Sequence, residues 1–279
     1  MNLTERSFGF YNAAFFAIIV LRYFLVAGGI YLLLYVPACR WLSDRHSSAP
    51  NSSAPLPGPN AAQRRLIQQD ILLSMQSAIV FAFTCACIMS LYCLGFTRLY
   101  LQVQSSNWWF DWWYIGLSYI FVLILQDTYF YFTHRLFHHP RLFSWFHQGH
   151  HRSRHPTPWT SFAFDPLEAI AQALFLAFIV FTIPLHFITI IAVLITMTVW
   201  AVMNHLGIER LPVSFPHHWL GKWFIGPAHH SVHHCKYSMH YGLYFTFWDK
   251  LLGTQDPKYE AAYGQCASRP HTGHPAEES

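Results

Sequence analysis

Long apolar runs separated by short polar segments dominate the first two thirds of the chain. Residues 8–37 form one run and residues 67–96 a second. Each is long enough to cross a ~30 Å hydrocarbon core as a helix. A third run opens with the aromatic cluster at residues 108–114, which is typical of a membrane interface, and extends to about Tyr131. The pattern therefore predicts transmembrane helices.

Residues 167–203 form a further apolar run, with Pro184 near its middle. A single straight helix of this length would extend ~55 Å, well beyond the hydrocarbon core. Two short helices joined by a turn near residues 182–186 fit a bilayer better. Such a hairpin also returns His205 to the membrane face on which His134 lies. We therefore expect four or five crossings in total.

The composition agrees with a membrane protein, since charged residues make up 11% of the chain against ~25% in soluble domains. The net charge of +4 is dispersed and accompanies no nucleic-acid recognition motif, so we expect no nucleic-acid partner. Arginines gather on the predicted histidine face, whereas the opposite loops hold only Arg98. The positive-inside rule then places the histidine face in the cytoplasm.

The 19 histidines of the chain include three closely spaced boxes. The boxes comprise His134 and His138; His147, His150 and His151; and His230, His233 and His234. Positions three and four apart share one face of a helix, so each box can direct several rings at one point. Eight imidazoles exceed the needs of one tetrahedral zinc ion. The spacing indicates a site for two metal ions, the alternative being polar surface histidines.

The chemistry of such a site is constrained by what the sequence lacks. Imidazole suits iron, zinc, copper and nickel. No H-E-x-x-H motif supports hydrolytic zinc, and neither a G-x-S-x-G elbow nor a dinucleotide-binding fingerprint is present. Iron acting with dioxygen on an unactivated lipid C–H bond is the favoured interpretation. The electrons would then come from another protein.

The boxes HRLFH, HQGHH and HSVHH, followed by FTFWDKLLGT, resemble the fatty acid hydroxylase/sterol desaturase superfamily. The segment HPTPWTSFAFDPLEAIAQ is similar to its sterol C-5 desaturase branch. The resemblance covers about residues 127–254. It implies a non-haem site for two iron ions, dioxygen as oxidant, a lipid substrate, and a cytochrome b5 or ferredoxin-type electron donor. By position, it implies that the metal ligands are His134, His138, His147, His150, His151, His230, His233 and His234, with His205 in NHLG as a further ligand.

Four residues near the boxes carry separate hypotheses. Asp127 precedes His134 by two helical turns on the same face, so a hydrogen bond that fixes the tautomer of a liganding imidazole is expected, with a capping or interfacial role as the alternative. The side chains of His139 and His229 point about 100° away from those of the adjacent box histidines, so both are interpreted as non-ligands. Glu168 is interpreted as a first-turn acid that favours the helix dipole, a role toward substrate being the alternative.

Together these features predict an all-α integral membrane protein with four to five transmembrane helices and a cytoplasmic histidine-rich helical cap that holds a di-metal site. Residues 1–107 would supply N-terminal transmembrane helices and a Pro/Ser-rich linker at residues 47–60. Residues 108–254 would form the catalytic domain, and residues 255–279 a disordered tail.

The expected function is a membrane-bound oxygenase that hydroxylates or desaturates a sterol or fatty-acyl lipid. Its membrane would be the endoplasmic reticulum in a eukaryote or the inner membrane in a bacterium. The alternative is a histidine-lined metal transporter or sensor without redox turnover. Ionisable groups should line the spans of a transporter, whereas these spans are apolar and the histidines gather at one face. This contrast favours the enzyme.

Overall fold

A computed structural model describes residues 6–38, 60–102, 108–207 and 215–259 of the chain. This part is mostly helical and contains two short strands. In chain order the elements are α1 (Phe8–Tyr23), α2 (Ala61–Cys93), β1 (Leu99–Tyr100), α3 (Trp108–Phe137), α4 (Pro140–Phe146), α5 (Pro166–Thr182), β2 (Leu185–His186), α6 (Phe187–Asn204), α7 (Pro227–Lys236) and α8 (Phe247–Leu251). Single 3₁₀ turns at His150–Arg152, Pro158–Phe162, Phe215–His217 and Gly221–Trp223 connect them.

Four helices are long and apolar enough to cross a membrane. They are Phe8–Ala38, Ala61–Cys93, Trp108–Phe137 and Phe187–Asn204. The first extends beyond α1 through the π-helical turns Phe24–Gly28 and Tyr31–Tyr35. Helix α5 is apolar but shorter. The predicted all-α membrane architecture is confirmed, with four candidate spans among the described residues.

The hairpin predicted for residues 167–203 is present. Helix α5 ends at Thr182 and α6 begins at Phe187, with extended backbone at Ile183 and Pro184 between them. Strand β2 in this turn pairs in parallel with β1, and the Tyr114 hydroxyl donates to the Pro184 carbonyl at 2.7 Å. The turn thus lies beside the beginning of α3, whereas His134 lies near the end of that helix. The turn at Pro184 and the histidine His134 therefore lie at opposite ends of the helical bundle.

Helix α1 runs antiparallel to α2, because its beginning lies by the second half of α2 and Tyr23 at its end lies in a cluster with Ile71 and Met75 of the first half. The Phe8 ring packs on Phe83, with centroids 5.6 Å apart, and the Tyr11 hydroxyl lies 3.6 Å from Cys93 Sγ near the far end of α2. The first span then reaches the histidine end, where Tyr23 and Ala27 pack with Phe162 in a buried cluster. Residues from the N-terminal third therefore contact the segment that follows the second histidine box.

The folded part of the chain extends past the expected boundary at residue 255. Residues 255–259 are folded, with Asp256 and Tyr259 only 5% and 3% exposed. Asp256 is held by an ion pair with Lys236, and the Tyr259 ring packs on His229. The expectation of a disordered tail from residue 255 is therefore wrong for these five residues. Residues 260–279 and the linker at 47–59 lie outside the described residues.

Candidate metal centre

Nine buried or half-buried histidines converge at one end of the helical bundle in two groups. The five-histidine group consists of His134, His138, His147, His151 and His233. The four-histidine group consists of His150, His205, His230 and His234. Within each group, one ring nitrogen of every member lies within 4.8 Å of the others. The structure thus brings together all nine histidines that the sequence singled out.

Five separate elements supply these rings. The last turns of α3 carry His134, His147 caps the end of α4, and His205 caps the end of α6. On α7, His230 and His234 are one helical turn apart and join one group. Because successive helical residues diverge by about 100°, His233 points to the other side of α7 and joins the five-histidine group, whereas His230 and His234 belong to the four-histidine group. Both H-x2-H-H boxes are divided between the groups in this way.

Backbone carbonyls fix the tautomers of most of these rings. A neutral imidazole carries one ring proton, and a carbonyl can only accept it. The contacts are His134 Nδ1 to Tyr241 O at 2.9 Å, His150 Nδ1 to Ala163 O at 3.3 Å, His205 Nδ1 to Ala201 O at 2.7 Å, His233 Nδ1 to Met239 O at 2.7 Å, and His234 Nδ1 to Ser153 O at 3.0 Å. Each of these rings therefore presents an unprotonated Nε2.

The geometry of the Nε2 atoms fits bound metal ions. The Nε2 atoms of His150 and His205 are 3.2 Å apart, although the tautomers give both of them a lone pair and no proton. Two facing lone pairs repel, and a cation between them would turn this repulsion into coordination. Neighbouring nitrogen ligands of one ion at ~2.1 Å lie about 3 Å apart, as these atoms do. His134 and His147 repeat the arrangement in the other group, at 2.9 Å.

Burial keeps the rings neutral and available as donors. Desolvation lowers the pKa of His150, His230 and His234 well below the ordinary value of 6.5, and the charge that a neighbouring imidazolium would carry lowers it further. Burial in the same way lowers the pKa of His138 to about 2. At neutral pH these histidines are therefore unprotonated, which is the state that binds metal.

Glu168 is a component of the site that sequence reasoning assigned differently. Its side chain is fully buried, and Oε2 lies 2.8 Å from Nδ1 of His147. This contact makes His147 the member whose ring is oriented by a carboxylate rather than a carbonyl. The signal in the sequence is a lone carboxylate at the beginning of the otherwise apolar α5, because such groups usually have a partner.

The expected contact between Asp127 and an imidazole is absent, so that hypothesis is wrong. Asp127 Oδ1 instead accepts hydrogen bonds from the backbone amides of Leu243, Tyr244 and Phe245, at 3.2, 2.7 and 3.1 Å. Two helical turns place Asp127 ~10 Å along α3 from His134. The amides of residues 243–245 lie closer to Asp127 than that. The carboxylate therefore anchors the loop that follows Tyr241, whose carbonyl accepts from His134.

Asp249 secures the same loop from the other side. Its two oxygens accept from the amides of Tyr241 and Gly242, at 2.9 and 3.0 Å. A Cβ at Gly242 would meet the Phe245 carbonyl at 2.5 Å, so the loop needs glycine there. Asp127 and Asp249 together hold the Tyr241 carbonyl in place for the His134 ring.

The two histidines interpreted as non-ligands lie outside both groups. His139 is exposed and caps α4, its Nδ1 accepting from the Arg141 amide. His229 is buried, but its ring packs on Tyr259 and His240, with centroids 3.8 and 4.8 Å away. Neither ring is directed at the predicted metal positions.

A polar cleft connects the site with the surface. Among its lining residues are His151 of the five-histidine group, Asp165, and the exposed Arg152 and Arg154. It lies at the histidine end of the bundle, away from the turn at Pro184. The cleft gives water-soluble molecules a route toward one edge of the site.

Comparisons with known proteins agree with this geometry. Residues 119–254 match the fatty acid hydroxylase family. A Δ7-sterol 5(6)-desaturase of Gibberella zeae is 29% identical over 60% of this chain and 51% of its own length. Lathosterol oxidase of Rattus norvegicus is 30% identical over 67% of this chain and 60% of its own. The human lathosterol oxidase is 33% identical over 50% of this chain and 44% of its own.

The chain thus spans between 44% and 60% of the length of these relatives. No solved structure matches it. The predicted resemblance to the fatty acid hydroxylase/sterol desaturase superfamily, and within it to sterol C-5 desaturases, is confirmed.

Proposed function

Since residues 119–254 match the fatty acid hydroxylase family and the chain is similar to sterol C-5 desaturases, we propose that this protein is a membrane-bound oxygenase that hydroxylates or desaturates a lipid. The observation that carries the proposal is the convergence of nine histidines into two groups whose Nε2 atoms face one another at about 3 Å. A surface cluster of histidines would not need fixed tautomers or this degree of burial.

Each group would hold one iron ion. Bound iron would supply the redox chemistry with dioxygen that breaks an unactivated C–H bond. The chain's own residues set the conditions for it: carbonyls and Glu168 hold the ring protons on Nδ1 and direct Nε2 inward. Burial excludes bulk water from His233 and His234, which are both fully buried. A nitrogen donor set of this kind suits iron, and zinc, copper and nickel as well.

The location of the groups supports a lipid substrate. His134 and His205 lie at the ends of two candidate membrane spans. A sterol ring or acyl chain in the bilayer could therefore reach the site without leaving the membrane. The names of the relatives, sterol desaturase and lathosterol oxidase, favour a sterol-type substrate for this chain, and a fatty-acyl substrate is the second class.

The electron donor would approach the histidine end. Four arginines are exposed there: Arg135, Arg141, Arg152 and Arg154. Of the carboxylates described at this end, Asp165 is partly exposed and the others are buried, so the exposed charge is mainly positive. This surface suits an acidic redox protein of the cytochrome b5 or ferredoxin type, and the cleft at His151 gives it access. The excess of arginine also favours a cytoplasmic histidine face, in the endoplasmic reticulum or a bacterial inner membrane.

Lipid analysis of cells that express the chain tests the proposal. We expect mass spectrometry to find a lipid that has gained one oxygen atom or lost two hydrogen atoms. His138→Ala and His233→Ala should abolish this product, and His139→Ala, which alters an exposed neighbour, should retain it. An unchanged lipid profile in a host that supplies sterols and acyl lipids, or equal product under nitrogen, would overturn the proposal.

A further inference from the structure

Side chains from the first two spans hold the segment at residues 153–164, which links the second histidine box to α5. The Tyr23 hydroxyl donates to the Trp159 carbonyl at 2.8 Å. The Ser77 hydroxyl donates to the Phe164 carbonyl at 3.0 Å. Tyr23 and Ser77 both lie outside residues 119–254, where the family match is found. The N-terminal spans thus contribute specific contacts to this segment.

Asp70 makes the strongest of these contacts. It is 2% exposed, near the histidine end of α2, and it accepts hydrogen bonds from two hydroxyl groups. Ser153 Oγ lies 3.1 and 2.9 Å from the two carboxylate oxygens, and Thr160 Oγ1 lies 2.7 Å from one of them. Buried carboxylates are retained where such bonds satisfy them. Asp70 therefore ties α2 to both Ser153 and Thr160.

The same segment orients two rings of the four-histidine group. The Ser153 carbonyl accepts from His234 Nδ1 at 3.0 Å, and the Ala163 carbonyl accepts from His150 Nδ1 at 3.3 Å. The five-histidine group takes its known orienting contacts elsewhere, from the carbonyls of Tyr241 and Met239 and from the Glu168 carboxylate. Among the described contacts, those of Asp70 therefore lead to the four-histidine group and not to the five-histidine group.

We propose that Asp70 is a positioning residue for the four-histidine group. By fixing Ser153, it keeps the Ser153 carbonyl within hydrogen-bonding distance of His234 Nδ1 and so directs His234 Nε2 at the metal position. The N-terminal spans then serve metal binding as well as membrane insertion. The inference rests on the two metal sites proposed above. Of these two, it is the site of the four-histidine group whose metal binding depends on Asp70.

Metal analysis of the purified full-length chain tests this assignment. The wild-type chain loaded with iron should hold about two ions. Asp70→Asn keeps the side-chain shape but removes the negative charge, which weakens the hydrogen bonds that Ser153 and Thr160 donate. Outer contacts of this kind change metal affinity by ~10–100-fold. At an iron concentration that just fills both sites of the wild type, we expect Asp70→Asn to retain about one ion. Asp111→Asn, the same change at the other end of the bundle, should retain two.

Double variants identify the group that is affected. Asp70→Asn combined with His205→Ala alters the four-histidine group twice and should still leave one ion. Asp70→Asn combined with His147→Ala alters both groups and should leave almost none. Equal losses in the two double variants would overturn the assignment, and so would two ions retained by Asp70→Asn alone.

A second variant covers the case in which Asp70→Asn does not fold. Ser153→Ala removes the hydroxyl that Asp70 accepts from and leaves the Ser153 carbonyl in the chain. We expect the same selective loss of one ion, in protein that remains monodisperse. A Ser153→Ala chain that is folded and binds two ions at the iron concentration that just fills the wild type would refute the role of Asp70. A wild-type chain that does not bind two ions would instead refute the two-site proposal itself.

Discussion

The Glu168 carboxylate lies 2.8 Å from Nδ1 of His147, and both side chains are buried from solvent. This relationship joins the first turn of α5 to the second histidine box. It links the apolar helix α5 directly to the five-histidine group. Carboxylate partners of liganding imidazoles fix the ring orientation and raise the basicity of the donor nitrogen.

Glu168→Gln should weaken this contact without removing it. The amide oxygen can still accept from His147 Nδ1, but the charge of the carboxylate is lost. We expect metal affinity of the five-histidine group, or turnover, to fall by ~10–100-fold. Titration of the metal-free chain with iron measures the affinity. Leu167→Ala, an exposed neighbour on the same helix, is the control and should bind as the wild type does. Unchanged affinity in Glu168→Gln would show that the contact does not support metal binding.

Asp127→Ala should act on stability before it acts on metal. The substitution leaves the amides of residues 243–245, two buried and one half-buried, without their acceptor, and an unsatisfied buried donor costs about 1–3 kcal/mol. Thermal unfolding in detergent should show a lower midpoint, and protease should cleave the loop at 241–245 sooner. The unfolding midpoint of Asp127→Asn, which retains an acceptor oxygen, should lie between those of the wild type and Asp127→Ala. Loss of metal with an unchanged midpoint would instead indicate a direct role at the histidines.

His229→Ala and His230→Ala should give different defects although the residues are adjacent. His230 belongs to the four-histidine group, so its loss should release one ion from a folded chain. His229 packs on Tyr259 and His240, so its loss should lower stability and leave the metal content unchanged. Metal content per chain, measured alongside thermal unfolding, separates the two outcomes. Equal metal loss in both variants would mean that α7 faces the site in another orientation.

Cysteine labelling in sealed vesicles tests the arrangement of the spans. Pro184→Cys places a thiol in the turn between α5 and α6, and His139→Cys places one at the exposed beginning of α4. A membrane-impermeant reagent should label the two positions from opposite sides, each compared with the parent chain. Labelling of both from the same side would exclude the hairpin and the common end for His134 and His205.

The sequence was sufficient to predict the spans, the hairpin and the nine converging histidines. Hydrophobic run length decides how a segment fits a bilayer, and Pro184 is the only proline in the run at 167–203. The spacing of the boxes decides which rings share a helix face, so His134, His233 and the others could be identified without their neighbours in space.

The partners of the two carboxylates could not be predicted in the same way. Asp127 and Glu168 both lie in apolar helices near a histidine box, yet one binds backbone amides and the other an imidazole. Which partner is close enough depends on how distant segments pack, and sequence spacing does not contain that information. The contacts of Asp70 with Ser153 and Thr160 join residues more than eighty positions apart for the same reason.

Iron content per chain tests the central claim most directly. Full-length protein, purified from cells supplied with iron, should contain about two ions. His147→Ala and His205→Ala, one from each histidine group, should each contain about one, and the two changes together should leave almost none. A folded wild-type chain that binds no metal, or a single substitution that removes both ions from a folded chain, would contradict two separate histidine sites.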